Sequence, residues 1–247
     1  MSVQSEESVV ARLSAEAFPI PAWKRGLDLA CLALTFPCWM LLGLCLGLLV
    51  KVTSPGPILF RQKRIGYLGR PFWCYKFRTM KLNADTAVHQ NHLAQLMRSG
   101  APMTKLDSAG DPRLTPCGLL LRSLGLDELP QLLNVLRGEM SLVGPRPCLP
   151  YEYETYLPRH RRRFLTLPGL TGLWQTSGKN KTTFEEMIDL DVHYAVHKTP
   201  WLDLKIMLRT IPAILEQALD MNRSQKARGD RSVFDGANAR QQSGEAL

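Results

Sequence analysis

The sequence predicts an α+β chain, mostly helical with one short β-hairpin, associated with a membrane through its N-terminal part. Three observations carry this. Leu29 to Val50 is a 22-residue run with no charge and Thr35 as its only hydroxyl. Ile58–Phe60 and Pro71–Phe77 are short β-type runs on either side of a turn at Gly66–Gly69. Most of the remaining patterned sequence up to Leu215 has helical periodicity.

The apolar run is long enough to cross a bilayer, since a straight helix of this length reaches roughly 33 Å. It is not a cleaved leader: Glu6, Glu7 and Glu16 precede it and no small-x-small site follows. Pro37 lies near its middle and removes a helical hydrogen bond. Both flanks are basic, with Lys24 and Arg25 before it and Lys51 and the Arg61–Arg64 cluster after it. Positive flanks stay on the cytoplasmic side. Two readings follow: a helix-break-helix hairpin that enters and leaves by one face, or a kinked transmembrane helix. In the hairpin, Asp28 is expected near the headgroups beside Arg25.

The elements beyond the hairpin come in order. Residues 81–98 read as helix and 99–116 as loop. Leu119–Leu124 and Leu129–Leu136 read as helices flanking an acid pair, Asp127-Glu128. Tyr151–Phe164 reads as one helix ending in Arg161-Arg162-Arg163, Pro168–Asn180 as a Gly-rich loop, and Phe184–His197 as a helix. Trp201, Leu204, Leu208, Ile211 and Leu215 keep a three-four spacing. That stripe suits a core helix or a helix on a membrane surface, and core is the better reading. The chain from Met221 onward is too polar to fold on its own.

The net charge of +9 is unevenly placed. Lys51 to Lys81 holds eight basic residues and no acid, and Pro158 to Lys181 holds six and no acid. Such patches attract nucleic acid, anionic lipid or a phosphorylated small molecule. Aromatics do not interleave with them as a base-stacking platform requires, which argues against nucleic acid. The six cysteines include no C-x-x-C pair, so a reducing compartment is expected over a disulfide framework. No dinucleotide, Walker, H-E-x-x-H or G-x-S-x-G motif is present. His193 and His197 share a helical face but lack a third metal ligand.

Arg122 to Pro147 is the most informative block. It sets Asp127-Glu128 between Arg122 and a Gly-Pro-Arg-Pro turn at Gly144–Pro147. A carboxylate can attack phosphorus or hold a divalent cation, and arginines neutralise phosphate oxygens. Aspartate is ionised at pH 7 and needs no general base to act as a nucleophile. Repulsion from a diphosphate is its difficulty, and Lys76, Arg78, Arg122 and Arg146 are the residues placed to relieve it.

The chain resembles the monotopic phosphoglycosyl transferases, a bacterial sugar transferase family. The resemblance runs in order through Lys24-Arg25-x-x-Asp28, Gly56–Gln62, Tyr75–Met80, Asp111–Thr115, Arg122–Pro147, Pro168–Gln175 and Leu202–Ile206. It implies transfer of sugar-1-phosphate from a UDP-sugar to polyprenyl (undecaprenyl) phosphate, with release of UMP. This would be the first membrane step of exopolysaccharide, O-antigen or glycoconjugate assembly. Asp127 matches the family nucleophile, which forms a phosphosugar-aspartyl intermediate, and Glu128 its partner. Mg²⁺ is the implied cofactor, with Asp127 as its ligand. Gln175 and Lys179 fall in the family's substrate-binding loop, where lysine replaces the usual arginine and loses bidentate geometry.

The resemblance also implies the re-entrant hairpin, broken at Pro37, and the cytoplasmic face of the bacterial inner membrane. It divides the chain into a polar arm (1–22), membrane hairpin (23–51), catalytic domain (52–220) and disordered tail (221–247). Membrane lipid and downstream glycosyltransferases are implied partners, and a homodimer is compatible with it. The competing reading is a membrane-anchored, non-catalytic scaffold or anionic-lipid-binding module.

Overall fold

The computed structural model describes residues 19–81, 95–97, 99–103, 113–178 and 181–216. The N-terminal arm, the helix expected at 81–98, the tail after Met221 and Lys179 lie wholly or mostly outside the described residues.

Helix α1 (Ala22–Thr53) runs for 32 residues and continues through Pro37. Among the described residues it is long and apolar enough to cross a membrane. Proline lacks the N–H that would bond the preceding turn. The carbonyl that loses its donor is that of Ala33; one residue earlier, Trp39 Nε1 donates to the Leu32 carbonyl at 3.1 Å. Thr35 Oγ1 donates back to the Cys31 carbonyl at 2.7 Å, a contact that bends helices.

One face of α1 is buried and the rest is open. Lys24, Asp28, Leu32, Leu46, Gly47 and Val50 are buried, while Leu34, Leu41, Leu44, Leu48 and Val52 are exposed. An apolar face of this extent marks a lipid or partner surface. Both sides of Pro37 rest on the same globular part. Leu32 packs with Cys74, Leu132, Val135 and Met140. Leu46 and Val50 pack with Phe77, Cys117 and Leu121.

The start of α1 is fastened by charge. Lys24 is fully buried, donates to the Val143 carbonyl and the Tyr194 hydroxyl, both at 2.8 Å, and pairs with Asp203 at 2.7 Å. Asp28 is not beside the headgroups with Arg25. Its Oδ1 accepts from Ser141 Oγ and the Leu142 amide, each at 2.9 Å. Arg25 instead donates to the Val135 and Leu136 carbonyls, where a cation suits a helix C-terminus.

Strands β1 (Leu59–Ile65) and β2 (Pro71–Phe77) form the predicted antiparallel hairpin, from Leu59↔Phe77 to Ile65↔Pro71. The first strand runs longer than expected, through the basic cluster. Helix α2 (Gly118–Ser123) follows. The acid pair then lies inside a 3₁₀ helix (Leu126–Gln131), and α3 (Leu132–Arg137) continues from it. A second, parallel pair joins β3 (Ser141–Val143), to which the sequence reading gave no element, and β4 (Gly169–Thr171), which it placed in a loop.

The helix expected over 151–164 is broken in two. Pro158 disfavours helix in the residue before it, leaving α4 (Pro150–Thr155), α5 (Pro158–Arg161) and a 3₁₀ turn (Arg162–Leu165). Helix α6 (Leu173–Thr176) follows β4. Helix α7 (Phe184–His197) matches its predicted span and opens with a capping box of Thr183 and Glu186.

The last helix, α8 (residues 200–216), reverses the core expectation. Trp201, Leu204, Leu208, Ile211 and Leu215 are exposed, and Asp203 and Ile206 are buried instead. Two small neighbouring faces thus divide the helix, and the wider apolar one is left outward.

Candidate active site

Gly125 starts the acid-bearing 3₁₀ helix at φ 67, in the left-handed region that favours glycine. Leu126 and Leu129 pack against the cluster holding Leu46 and Val50 of α1. A Cβ on Gly43 of α1 would sit 3.7 Å from Leu129. The turn that carries the acids therefore rests directly on the apolar helix.

With three residues per turn, successive side chains of this helix face different sides. Glu128 faces a cleft and pairs with Lys76, Nζ to Oε1 at 2.7 Å. Asp127 is 8% exposed and does not line that cleft. The cleft is small and open to solvent, with Arg64, Lys76, Glu128, Gln131, Arg146 and Gln175 as its polar lining. Cys74, Pro147, Gly169 and Leu170 complete its wall.

The Gly-Pro-Arg-Pro turn is locked by close backbone approach. A Cβ on Gly169 would meet the Gly144 nitrogen at 2.1 Å, and one on Gly144 would meet the Leu167 carbonyl oxygen at 2.3 Å. Only glycine allows β3 and β4 to close this way. The turn is also clamped from behind. Arg163 Nη2 donates to the Arg146 carbonyl at 3.0 Å and pairs with Asp191 at 2.5 Å. Arg163 Nη1 donates to the Tyr156 hydroxyl at 2.9 Å. Burial pushes the Asp191 carboxyl up to about 6, against the pull of Arg163. The last arginine of the 161–163 run is thus an internal strut, not part of a basic surface.

The structure brings Lys76, Glu128, Arg146 and Gln175 together. Gln175 Nε2 donates to the Leu170 carbonyl at 3.1 Å, and its Oε1 is buried without a partner. Arg78 lies elsewhere: it donates to the Ser54 and Pro55 carbonyls at 2.6 and 2.7 Å, holding the turn that leaves α1. Arg122 is half-buried on α2, outside this cleft. The sequence reading did not single out Arg64 or Gln131. Arg64 was submerged in the basic cluster, and its alternation with Gln62 on a strand was the one available signal.

A sequence profile described as bacterial sugar transferase matches residues 20–217. The chain belongs to this family. It is 42% identical over 166 residues to the exopolysaccharide production protein ExoY of Sinorhizobium fredii, covering 67% of this chain and 74% of that protein. It is 42% identical over 200 residues to a UDP-glucose:undecaprenyl-phosphate glucose-1-phosphate transferase of Caulobacter vibrioides, covering 78% and 69%. It is 37% identical over 168 residues to the undecaprenyl-phosphate galactose phosphotransferase of Salmonella typhimurium, covering 68% of this chain and 35% of that longer protein.

As a sugar transferase the chain is an enzyme, and its acid pair is the natural place to look for a cation. Among the described residues no three or more His, Cys, Asp or Glu side chains cluster to hold a metal. His193 and His197 stack on each other at 4.3 Å without a third ligand. Asp127 and Glu128 are neighbours in sequence but face different sides of the 3₁₀ helix, and Glu128 is paired with Lys76, so a Mg²⁺ ion here would rest on one carboxylate and complete its shell with water and phosphate oxygens.

Proposed function

We propose that this sugar transferase moves a sugar-1-phosphate from a UDP-sugar to polyprenyl phosphate at a membrane surface, starting exopolysaccharide or related glycan assembly. One observation carries the reading. The acid-bearing 3₁₀ helix packs on the apolar helix through Leu126 and Leu129 and borders a cleft lined by Arg64, Lys76 and Arg146. Phosphate chemistry beside lipid needs that combination. The names of the Caulobacter and Salmonella relatives support the donor and acceptor classes.

In the mechanism, an Asp127 carboxylate oxygen attacks the β-phosphorus of the donor. The bond from that phosphorus to the bridging oxygen breaks, and UMP leaves with the electron pair. An oxygen of polyprenyl phosphate then attacks the phosphosugar-aspartyl phosphorus, and the Asp127 carboxylate departs unchanged. Lys76 and Arg146 offset the charge of the diphosphate. Glu128 holds Lys76 in place at 2.7 Å. Asp127 would hold Mg²⁺, which would supply further neutralisation of the diphosphate.

The expected break at Pro37 is not present, since α1 is one uninterrupted helix, but a placement of α1 that enters and leaves by one membrane face belongs to the same proposal. Its support is that Lys24 at one end and Val50 at the other are both buried against the same globular part. A helix that left its catalytic part on one side of a bilayer could not do this with both ends. The outward apolar stripe of α8 adds a second surface for lipid. On this reading the enzyme would work at the cytoplasmic face of the inner membrane, the side to which basic flanks such as Lys24, Arg25 and Lys51 are retained.

The test is UMP release from a panel of UDP-sugars in detergent with Mg²⁺ and undecaprenyl phosphate. One donor should release UMP, and Asp127→Asn should abolish it. Release undiminished in folded Asp127→Asn would overturn the aspartyl mechanism.

A further inference from the structure

We propose that Arg64 is a substrate-binding residue that forms, with Arg146, a two-guanidinium seat for phosphate oxygens in the cleft. Both side chains line it. Arg64 is 7% exposed, on the inward end of β1. Its Nη1 donates to the Pro147 carbonyl at 3.0 Å and its Nη2 to Gln62 Oε1 at 2.9 Å. Its Nε has no partner. A guanidinium carries five N–H groups in a fixed fork, so these contacts leave part of its capacity open.

Charge makes the stronger case. Among the described residues, neither Arg64 nor Arg146 takes part in any of the ion pairs formed. Burial, and after it the like charge of Arg146, pushes the Arg64 guanidinium below its usual value. Glu152 opposes this only from beyond ion-pair distance. Lys76 in the same cleft is already matched by Glu128. Two arginines lining one cavity whose carboxylate, Glu128, is already paired with Lys76 are costly unless an anion completes them. The guanidinium fork matches phosphate oxygens two at a time, which an ammonium cannot do. The seat is also stiff, because Arg64 grips the backbone at Pro147 and Arg163 grips it at Arg146.

This assignment rests on the transferase reading for its substrate, and two sources carry the required oxygens: the donor diphosphate and the acceptor phosphate. The full chain in detergent would be titrated with inorganic pyrophosphate by calorimetry, as wild type, Arg64→Gln, Arg64→Lys, Arg146→Gln and Arg61→Gln. Arg61 lies on the same strand but stacks on Trp73, with its guanidinium 5.2 Å from the ring, and serves as the control. Pyrophosphate affinity should fall at least tenfold in Arg64→Lys and Arg146→Gln and stay unchanged in Arg61→Gln. Arg64→Gln removes a buried anchor, so if it fails to fold, Arg64→Lys carries the test.

KM is then measured for each substrate with the other saturating. A tenfold rise for the UDP-sugar alone assigns the seat to the donor, and one for polyprenyl phosphate alone assigns it to the acceptor. Wild-type pyrophosphate affinity and both KM values within twofold in folded Arg64→Lys would overturn the proposal, as would a wild type that binds no pyrophosphate. Arg64-dependent pyrophosphate binding in a protein that releases no UMP would keep the seat and refute the transferase reading instead.

Discussion

Lys24→Met probes how firmly the apolar helix is held to the body beneath it. The Lys24 ammonium has three N–H groups, and all three are engaged, by Val143, Tyr194 and Asp203 at 2.7–2.8 Å. Both charged side chains are essentially closed to solvent, at 0% and 1% exposure. Truncating one partner leaves a buried carboxylate with the Tyr194 hydroxyl at 2.6 Å as its remaining side-chain donor. Such a loss costs roughly 3–5 kcal/mol. Asp203→Leu should cost a similar amount by stranding the ammonium. Removing both charges together relieves each variant's orphan, so Lys24→Met/Asp203→Leu should be less harmful than the sum by about 2 kcal/mol or more. The assay is denaturant unfolding in detergent, followed by tryptophan fluorescence. Single variants that each lose less than about 1 kcal/mol, or a strictly additive double variant, would refute the claim that this pair holds the helix.

Gly169→Ala should destabilise by about 3 kcal/mol or prevent folding, because its methyl would meet the Gly144 nitrogen at 2.1 Å; a melting temperature equal to wild type would contradict the close approach. Chelation with EDTA should stop UMP release and added Mg²⁺ restore it, whereas full activity in EDTA would remove Mg²⁺ from the scheme. Burial of His160 lowers its affinity for a proton in the folded state. A depressed folded value gives stability that is present above the unfolded value of about 6.5 and is lost as pH falls below it. His160→Gln should therefore lose less stability than wild type between pH 7 and 5, and parallel curves would exclude His160 as the cause. In a cysteine-free background, Trp23→Cys and Thr53→Cys should both react with an impermeant maleimide from the cytoplasmic side only; labelling from opposite sides would show a crossing helix.

The sequence made some of this legible and hid the rest for physical reasons. Strand β2 and helix α7 were readable because each carries its own local signal, a hairpin turn or a capping box with regular burial. The β3–β4 pair was not, since three-residue strands of Ser-Leu-Val and Gly-Leu-Thr hold no periodicity and exist only through contact with each other. The cations were visible as residue types, but their assignment depends on what lies behind them. Arg78 and Arg163 look identical in sequence to Arg146, yet the first ties down a loop and the second braces the turn. Arg64 escaped notice because three cations within four residues, Arg61, Lys63 and Arg64, read as surface charge, while the strand turns one of them inward. The stripe on α8 was seen correctly as a stripe, but periodicity does not say whether protein or lipid covers it.

The clusters around Leu32 and around Leu46 and Val50 have a practical consequence. In many membrane enzymes the anchor is a tether that can be cut away to leave a soluble catalytic fragment. Here α1 supplies side chains to two of the cores, a buried cation for β3 and α8, and the surface on which the acid-bearing turn rests. A fragment beginning after Thr53 would lack a wall of its own interior. The anchor is not detachable from this fold, and a soluble version would have to be made by repainting the outer face of α1 while keeping its inner one.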